Sequence, residues 1–189
     1  LMKDAYSFHE NEEDFRREYE LMWKTYERIF ERMGLKIVVI ESDNGYIGGE
    51  YCHEFVVVSE AGESRFLMTE DGSYAAHEEV AVFKREDMNP SEKAKKMEVC
   101  EAKRGPTIED GVKLYGEPTW RQIKSLVYMV SAKKGEEPVM VCLRGDLEVN
   151  EVKLKKVLNV GTIRPAHPDE IKALGSCVGF VSPLKLKIR

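Results

Sequence analysis

The sequence predicts an α+β protein built from two units, and three observations support this. Apolar and aromatic residues recur at helical spacing between Phe15 and Met33, which predicts one long amphipathic helix. Short alternating apolar runs, bounded by glycine, proline and polar residues, predict strands. The charge balance changes sign near residue 94, because residues 1–93 hold 11 Lys and Arg against 22 Asp and Glu, whereas residues 94–189 hold 18 against 12. We therefore predict units at 1–93 and 94–189.

The overall composition favours a globular protein without membrane partners. Of the 189 residues, 42% are hydrophobic and 33% are charged, which is enough apolar material for a core. No apolar run approaches the roughly 20 residues that cross a bilayer, and no signal-peptide pattern opens the chain, so we expect a cytoplasmic protein. The four cysteines form no CxxC pair, which predicts reduced, mostly buried thiols. The four histidines lack the spacing of a metal site, and we expect none.

The first unit is predicted to combine one helix with an antiparallel sheet. Residues 1–8 have the pattern of a strand interior, so we expect the sequence to be an excerpt of a longer chain. Asn11, three residues before Asp14, predicts the helix N-cap, and Gly34 predicts its end. The aromatic stripe of this helix is better explained by core packing than by a ligand site. Further strands are predicted at 35–41, 54–59 and 64–68.

The second unit is predicted to mix helices with a hairpin. A turn at 133–135 would join strands at 125–131 and 138–143. Helices are predicted at 107–115, 119–123, 148–158 and 168–174. In the third of these, Leu154, Val157 and Leu158 are expected to face inward, and residues 184–189 alternate like a strand.

Spacing alone assigns no chemistry to this chain. It contains no phosphate loop, dinucleotide-binding fingerprint, HExxH helix or serine elbow. The positive second unit has the sign of a surface that contacts phosphates, although an ordinary solvated surface explains the charge equally well.

Three segments of the first unit carry a family resemblance. They are LMKDAYSFH at 1–9, NGYIGG at 44–49 with CHEF at 52–55, and SYAAHE at 73–78. In that order they resemble the end of motif 2, the glycine turn with its His-Glu-Phe signature, and the Tyr-Ala-Ala-Asn element of bacterial-type prolyl-tRNA synthetases. His77 stands where asparagine is usual in that family.

Three segments of the second unit resemble the editing insertion of the same family. They are IKSLV at 123–127, LRGD at 143–146 with its following Glu148, Asn150, Glu151 and Lys153, and GFVSP at 179–183. The resemblance spans nearly the whole chain. It implies part of a class II synthetase antiparallel-sheet catalytic domain at 1–93, followed by part of a mixed α/β YbaK-like editing domain at 94–189.

The resemblance implies a ligase with a hydrolytic editing site. Such enzymes activate proline with ATP and Mg, charge tRNA(Pro), and hydrolyse mischarged Ala-tRNA(Pro), because a proline pocket cannot strongly exclude a smaller side chain. The implied partners are proline, ATP and the acceptor end of tRNA(Pro), with a homodimer in the intact enzyme. We expect the fragment to hold no cofactor and to be inactive in aminoacylation.

By resemblance, the first unit contributes residues to the proline site. The implied substrate-binding residues are Met2, Asp4, Tyr6, Gly48, Gly49, His53 and Phe55. Asp4 would accept a hydrogen bond from the proline ammonium, although an ordinary solvated aspartate is the alternative. Gly48 and Gly49 would let the backbone approach the ligand, and glycines of a plain turn have the same appearance in sequence.

The implied catalytic residues of the editing site are Lys124, Gly179 and Pro183. Lys124 would hold the 3′-terminal adenosine or the ester region, with a plain surface lysine as the alternative. The backbone amides of residues 179–183 would face the ester carbonyl. Arg144 and Asp146 are better explained as residues that stabilise a turn.

Two other classes of function stay open at this stage. One is a free-standing trans-editing deacylase or tRNA-binding module, against which the proline-site sequence at residues 2–8 argues. The other is an inert scaffold or relic of an enzyme.

Overall fold

The computed structural model describes residues 2–45, 49, 51–133, 135–184, 186 and 188. The chain divides into two compact units, Leu1–Val82 and Phe83–Arg189. This division lies before the boundary that we predicted near residue 94. Residues between the two positions are tied to the second unit, because Arg121 donates two hydrogen bonds of 2.9 and 2.6 Å to the Glu92 carboxylate.

Helix α1, Glu12–Arg32, opens the first unit, and its ends agree with the prediction. The side chain of Asn11 accepts a hydrogen bond of 2.9 Å from the backbone amide of Asp14, which satisfies one of the free donors of the first turn. Gly34 has a φ of 70°, a left-handed conformation that glycine adopts without steric cost, and the chain leaves the helix there.

A four-stranded sheet follows α1 in the first unit. Its strands are β1 Ile37–Glu41, β2 His53–Val57, β3 Phe66–Met68 and β4 Ala75–His77, in the order β2-β1-β4-β3. The prediction of a purely antiparallel sheet is wrong in one pairing, because β1 and β4 run parallel. A parallel pair needs a long connection that brings the chain back to the end of the sheet where the first strand began. The segment between β1 and β4, which includes β2 and β3, is long enough to do so.

The aromatic stripe of α1 packs against β2, as the core-packing interpretation requires. The ring of Tyr26 stacks on Phe55 with a centroid distance of 4.9 Å, and Trp23 meets the same ring edge-on at 5.4 Å. The helix nevertheless has no fully buried residue. Met22, Ile29 and Met33 on its apolar side stay exposed to solvent.

The predicted opening strand does not form. Residues 2–9 have no regular secondary structure, and no strand of the described part of the chain pairs with them. An isolated strand has no partner for its backbone groups, so alternation in sequence is not sufficient to make one. The segment is held instead by side chains, with Lys3 donating a hydrogen bond of 3.0 Å to the Tyr26 hydroxyl.

The second unit is a three-stranded antiparallel sheet with flanking helices. Its helices are α2 Ile108–Tyr115, α3 Glu151–Leu158 and α4 Pro168–Ala173, and its strands are β5 Ile123–Ala132, β6 Gly135–Arg144 and β7 Ile163–Pro165. The sheet order is β6-β5-β7, with both pairings antiparallel. Val127, Tyr128, Val130 and Val139 from the hairpin and Ile171 from α4 form its core.

Several details of the second unit differ from the predictions. The helix predicted at 119–123 is a single 3-10 turn, Thr119–Arg121, because strand β5 already begins at Ile123. Val157 was expected to face inward and is 82% exposed. The strand predicted at 184–189 is wrong for residues 184, 186 and 188, which are not in a strand, whereas 185, 187 and 189 lie outside the described residues.

The structure joins none of the four cysteines in a disulfide within the described residues, but the prediction that most are buried is wrong. Cys100, Cys142 and Cys177 are exposed, and Cys52 is half-buried. The small sheets of each unit have few fully enclosed positions, so small apolar side chains often stay at the surface. Among the helices that the structure describes, none is long and apolar enough to cross a membrane.

Candidate functional site

Lys124 is the second residue of strand β5, and its ammonium is fixed by two acceptors. The lysine Nζ donates a hydrogen bond of 3.0 Å to the backbone carbonyl of Leu147 and another of 2.5 Å to the Glu148 carboxylate. The Lys124 side chain is only 18% exposed, whereas that of Glu148 is 83% exposed. Lys124 is therefore an ordered lysine, unlike a freely solvated one.

The turn that presents these acceptors, residues 144–150, follows strand β6. Arg144 donates hydrogen bonds of 2.7 and 2.9 Å to the two oxygens of Asp146, and this bidentate pair lowers the pKa of the Asp146 carboxyl. The amide of Leu147 donates to the Arg144 carbonyl at 3.0 Å, and the Asn150 side chain caps α3 through the amide of Lys153 at 3.0 Å. These contacts support the structural interpretation of Arg144 and Asp146.

Gly145 lets the 144–150 turn approach the preceding 3-10 turn. Its amide donates a hydrogen bond of 2.8 Å to the carbonyl of Gln122, two residues before Lys124. A Cβ at this position would lie 2.5 Å from the carbonyl oxygen of Thr119, which is too close for the two atoms to avoid a clash. Because Gly145 has no side chain, the turn lies close enough to strand β5 for the Leu147 carbonyl and the Glu148 carboxylate to reach Lys124.

Tyr128, which was not among the predicted site residues, lies four residues after Lys124 on the same side of β5. Burial raises the pKa of its phenol, and the nearby carboxylates of Glu151 and Glu148 raise it further. Its pattern in sequence is that of an ordinary core position. The carboxylates of Glu148 and Glu151 come close to Tyr128 because the start of α3 lies beside the hairpin.

The loop at 179–183 packs against the segment that precedes α2. Gly179 has a φ of 81°, and a Cβ there would lie 2.2 Å from the Cβ of Pro106. The amide of Phe180 donates to the Cys177 carbonyl at 3.0 Å, so it is not free for a ligand. Pro183 is exposed. Within the described part of the chain, no hydrogen bond or ion pair joins this loop to Lys124.

A separate cavity of about 400 Å³ lies within the second unit and was not anticipated. It is lined by Asp87, Met88, Asn89, Trp120, Arg121 and Arg144. Both of its guanidinium groups already have carboxylate partners, Glu92 for Arg121 and Asp146 for Arg144. An anion entering the cavity would have to displace those carboxylates.

In the first unit, His53 and Phe55 belong to the aromatic packing between α1 and β2. The hydroxyl of Tyr19 lies 2.8 Å from Nδ1 of His53. Burial lowers the pKa of His53 against the opposing effect of the Glu41 carboxylate, so the imidazole is neutral at pH 7. The hydrogen bond to Tyr19 fixes the orientation of the His53 ring.

The remaining residues predicted for the proline site are less organised. Met2 and Tyr6 are 84% and 64% exposed, and Asp4 is exposed as well. Within the described part of the chain, Asp4 makes no hydrogen bond or ion pair. Gly49 has a φ of 114°, and a Cβ there would lie 2.9 Å from the side-chain nitrogen of Asn44; Gly48 lies outside the described residues.

No metal site is evident in the portion that the structure describes. No group of three or more His, Cys, Asp or Glu side chains there is arranged to hold a metal ion. The site residues gathered by the fold are therefore a lysine, backbone carbonyls and amides, and carboxylates.

Comparison with known proteins places this arrangement in a family. Residues 102–189 match the aminoacyl-tRNA editing domain family. The whole chain is 42% identical to a proline–tRNA ligase of Thermotoga sp. strain RQ2 and 41% identical to that of Thermotoga maritima, in both cases over 100% of this chain. Along its whole length the chain is similar to proline–tRNA ligases. A proline–tRNA ligase of Fusobacterium nucleatum is 41% identical over 98% of the chain.

The match covers both units of this chain but only part of each relative. The chain spans about a third of the length of the relatives it matches, 32% in each of these three. Lys124 and the 144–150 turn both lie within the editing domain, as does the loop at 179–183. The first unit lies before the residues matched by the editing domain and is covered by the ligase match alone.

Proposed function

We propose that the chain is part of an enzyme that activates proline with ATP, joins it to tRNA(Pro), and hydrolyses alanine wrongly attached to that tRNA. The observation that carries this proposal is the match to proline–tRNA ligases along the full length of the chain, with an editing domain at residues 102–189. A free-standing editing protein is disfavoured because the ligases match the first unit as well.

Editing as proposed is the hydrolysis of an ester. Water adds to the alanyl carbonyl, the bond between the acyl carbon and the ribose oxygen breaks, and that oxygen takes a proton. The fold supplies an ordered cation at Lys124, two of whose three N–H groups are occupied by Leu147 and Glu148. Such an ammonium can donate to a phosphate or to the ester region of the RNA end.

The loop at 179–183 is proposed to bind the same substrate through its backbone. The amide of Phe180 is engaged, so the amides of the residues on either side of it, Gly179 and Val181, are the candidates for the ester carbonyl. Packing of Gly179 against Pro106 fixes where this loop lies relative to the start of α2. Pro183 limits the conformations of the same loop.

For the first unit we propose a part in the proline site of the intact enzyme. His53 supports this, since its hydrogen bond to Tyr19 fixes the orientation of the ring. Asp4 is accessible to a ligand ammonium because no protein group occupies it within the described residues. ATP with Mg as substrate, a homodimer and a cytoplasmic location belong to the same proposal for the intact enzyme.

The editing assignment is tested by RNA binding. The probe is an RNA hairpin with a single-stranded CCA end that carries alanine through an amide, which resists hydrolysis. We expect Lys124→Ala in the 189-residue chain to weaken binding about five- to tenfold, as expected for loss of one phosphate or ester contact.

Lys113→Ala provides the matched control, since it removes the same charge from the end of α2 in the same unit. We expect this control to stay within about twofold of the unmodified chain at 0.15 M salt, where distant surface charges are screened. Equal weakening by both substitutions would count against the proposed role of Lys124.

A further inference from the structure

The two side chains of the Lys124–Glu148 ion pair differ sharply in solvent exposure. Lys124 is 18% exposed and extends from a strand, whereas Glu148 is 83% exposed and stands in a loop. Within the described part of the chain, the only hydrogen-bond partner of the Glu148 side chain is the Lys124 ammonium. The carboxylate can therefore swing into solvent while the lysine stays where it is.

The second acceptor of Lys124 cannot leave in this way. The Leu147 carbonyl belongs to the backbone of the 144–150 turn, which is tied down by the Arg144–Asp146 pair and by the bond from Gly145 to Gln122. This carbonyl is sufficient to keep the ammonium in place. The Glu148 carboxylate is thus not required to orient Lys124.

We propose that Glu148 is a built-in competitor for the RNA end, whose carboxylate occupies Lys124 in the empty site and is displaced by a phosphate of the acylated terminus. This inference rests on the proposed editing function. A phosphate and a carboxylate offer the same kind of oxygen acceptor to one ammonium, so one replaces the other. An exposed ion pair contributes little in water, which makes the exchange easy.

The charges around Lys124 strengthen the argument. Glu148 and Glu151 both lie close enough to Tyr128, four residues along β5 from Lys124, to act on it electrostatically. An anion must displace the Glu148 carboxylate before it can pair with Lys124. Glu148 therefore selects against weak anions and admits a ligand that brings further contacts, such as a stacked terminal nucleotide.

The test uses the 189-residue chain and the alanyl-amide RNA hairpin described above, with affinity measured at several salt concentrations. Glu148→Gln keeps a hydrogen-bond acceptor for Lys124 but removes the charge. We expect it to tighten binding about three- to tenfold at low salt.

Salt dependence gives a second readout that a merely structural role would not change. In the unmodified chain the released carboxylate must take up a cation, which offsets part of the counterion release from the RNA. Without that carboxylate, the slope of log affinity against log salt concentration should become more negative by about 0.5 to 1.

Glu109→Gln, an equal charge change in the first turn of α2, serves as the control and should change affinity less than about twofold. In a Lys124→Ala background, Glu148→Gln should give no gain. An unchanged or weaker affinity of Glu148→Gln, with Lys124→Ala still weakening binding, would overturn the competitor role and leave the editing assignment standing. No effect of Lys124→Ala would overturn both.

Discussion

At the scale of single residues, the editing unit depends on a glycine as much as on its charged side chains. Gly145 permits a backbone contact with Gln122, and that contact places the carbonyl of Leu147 within reach of Lys124. The position of the lysine ammonium is thus decided by a residue with no functional group. Gly179 acts similarly for the loop at 179–183, through its contact with Pro106.

We expect Gly145→Ala to lower the free energy of unfolding of the second unit by about 1–3 kcal/mol, because the new Cβ would overlap backbone that cannot move aside. Gly161→Ala is the control, since its Cβ would lie 3.8 Å from the Ser131 hydroxyl, an ordinary contact. Urea unfolding of both variants measures the difference. A cost for Gly161→Ala as large as that for Gly145→Ala would contradict this explanation.

At the scale of elements, helix α1 links local sequence to tertiary packing. Its first turn is stabilised by the Asn11 cap and by acidic side chains that interact favourably with the helix dipole. Its aromatic residues cover β2, where they surround His53 and Phe55. A loss of stability in α1 should therefore also destabilise the candidate proline site around His53 and Phe55.

We expect Asn11→Ala to destabilise the first unit by about 1 kcal/mol, because the amide of Asp14 would lose its side-chain acceptor. Asn11→Asp keeps an acceptor at the same position and should retain the stability of the unmodified chain within about 0.5 kcal/mol. Thermal unfolding followed by fluorescence of Trp23, in a Trp120→Phe background, reports on this unit. Equal losses in both variants would exclude the cap as the cause.

At the scale of the whole molecule, the two units differ in the groups whose titration affects folding. In the first, burial lowers the pKa of His53 below its ordinary value of 6.5. In the second, hydrogen bonds from Arg164 and the His167 amide lower the pKa of Glu170 from 4.5 to about 2. Both shifts mean that the unfolded state binds more protons, so both contributions to stability decrease as the pH falls.

The two pH windows differ, which gives a prediction for the intact chain. The His53 contribution is complete above about pH 6.5 and decreases below it, whereas that of Glu170 is complete above about pH 4.5 and is lost toward pH 2. Between pH 7 and 5.5, the urea midpoint of the first unit should fall while that of the second stays constant. Single-tryptophan variants retaining Trp23 or Trp120 follow each unit separately.

His53→Gln serves as the control for this prediction, because it removes the titrating imidazole. It should abolish the fall of the first midpoint between pH 7 and 5.5, even if it lowers that midpoint at every pH. A parallel decrease in both units over that range would show that the groups named here do not govern the response.

Much of the fold follows from sequence because the responsible contacts are local. The Asn11 cap, the end of α1 at Gly34 and the hairpin of β5 and β6 each depend on residues near one another in the chain. Strands whose partners lie far away were harder to predict. β7 and β4 are three residues long, too short for an alternating pattern. β7 is defined by its pairing with the distant β5, whereas β4 pairs with both the neighbouring β3 and the distant β1.

The candidate site divides in the same way. Lys124 was identified through the resemblance of its neighbouring sequence, and the Arg144–Asp146 pair joins residues only two positions apart. Tyr128 and the role of Glu148 were not predicted, because their significance depends on the start of α3 lying beside the hairpin. The exposure of Met2 and Tyr6 was also missed, since a strand pattern does not reveal whether a partner strand is present.

The sequence by itself determined the cap and limits of α1 and the hairpin of β5 and β6, because these depend on residue type at short separations, and its short segments revealed the likeness to proline–tRNA ligases. Only the tertiary structure decided the parallel pairing of β1 with β4 and the acceptors around Lys124, which lie 23 and 24 residues away. Such contacts depend on the path of the whole backbone, and residue types at short separations do not specify that path.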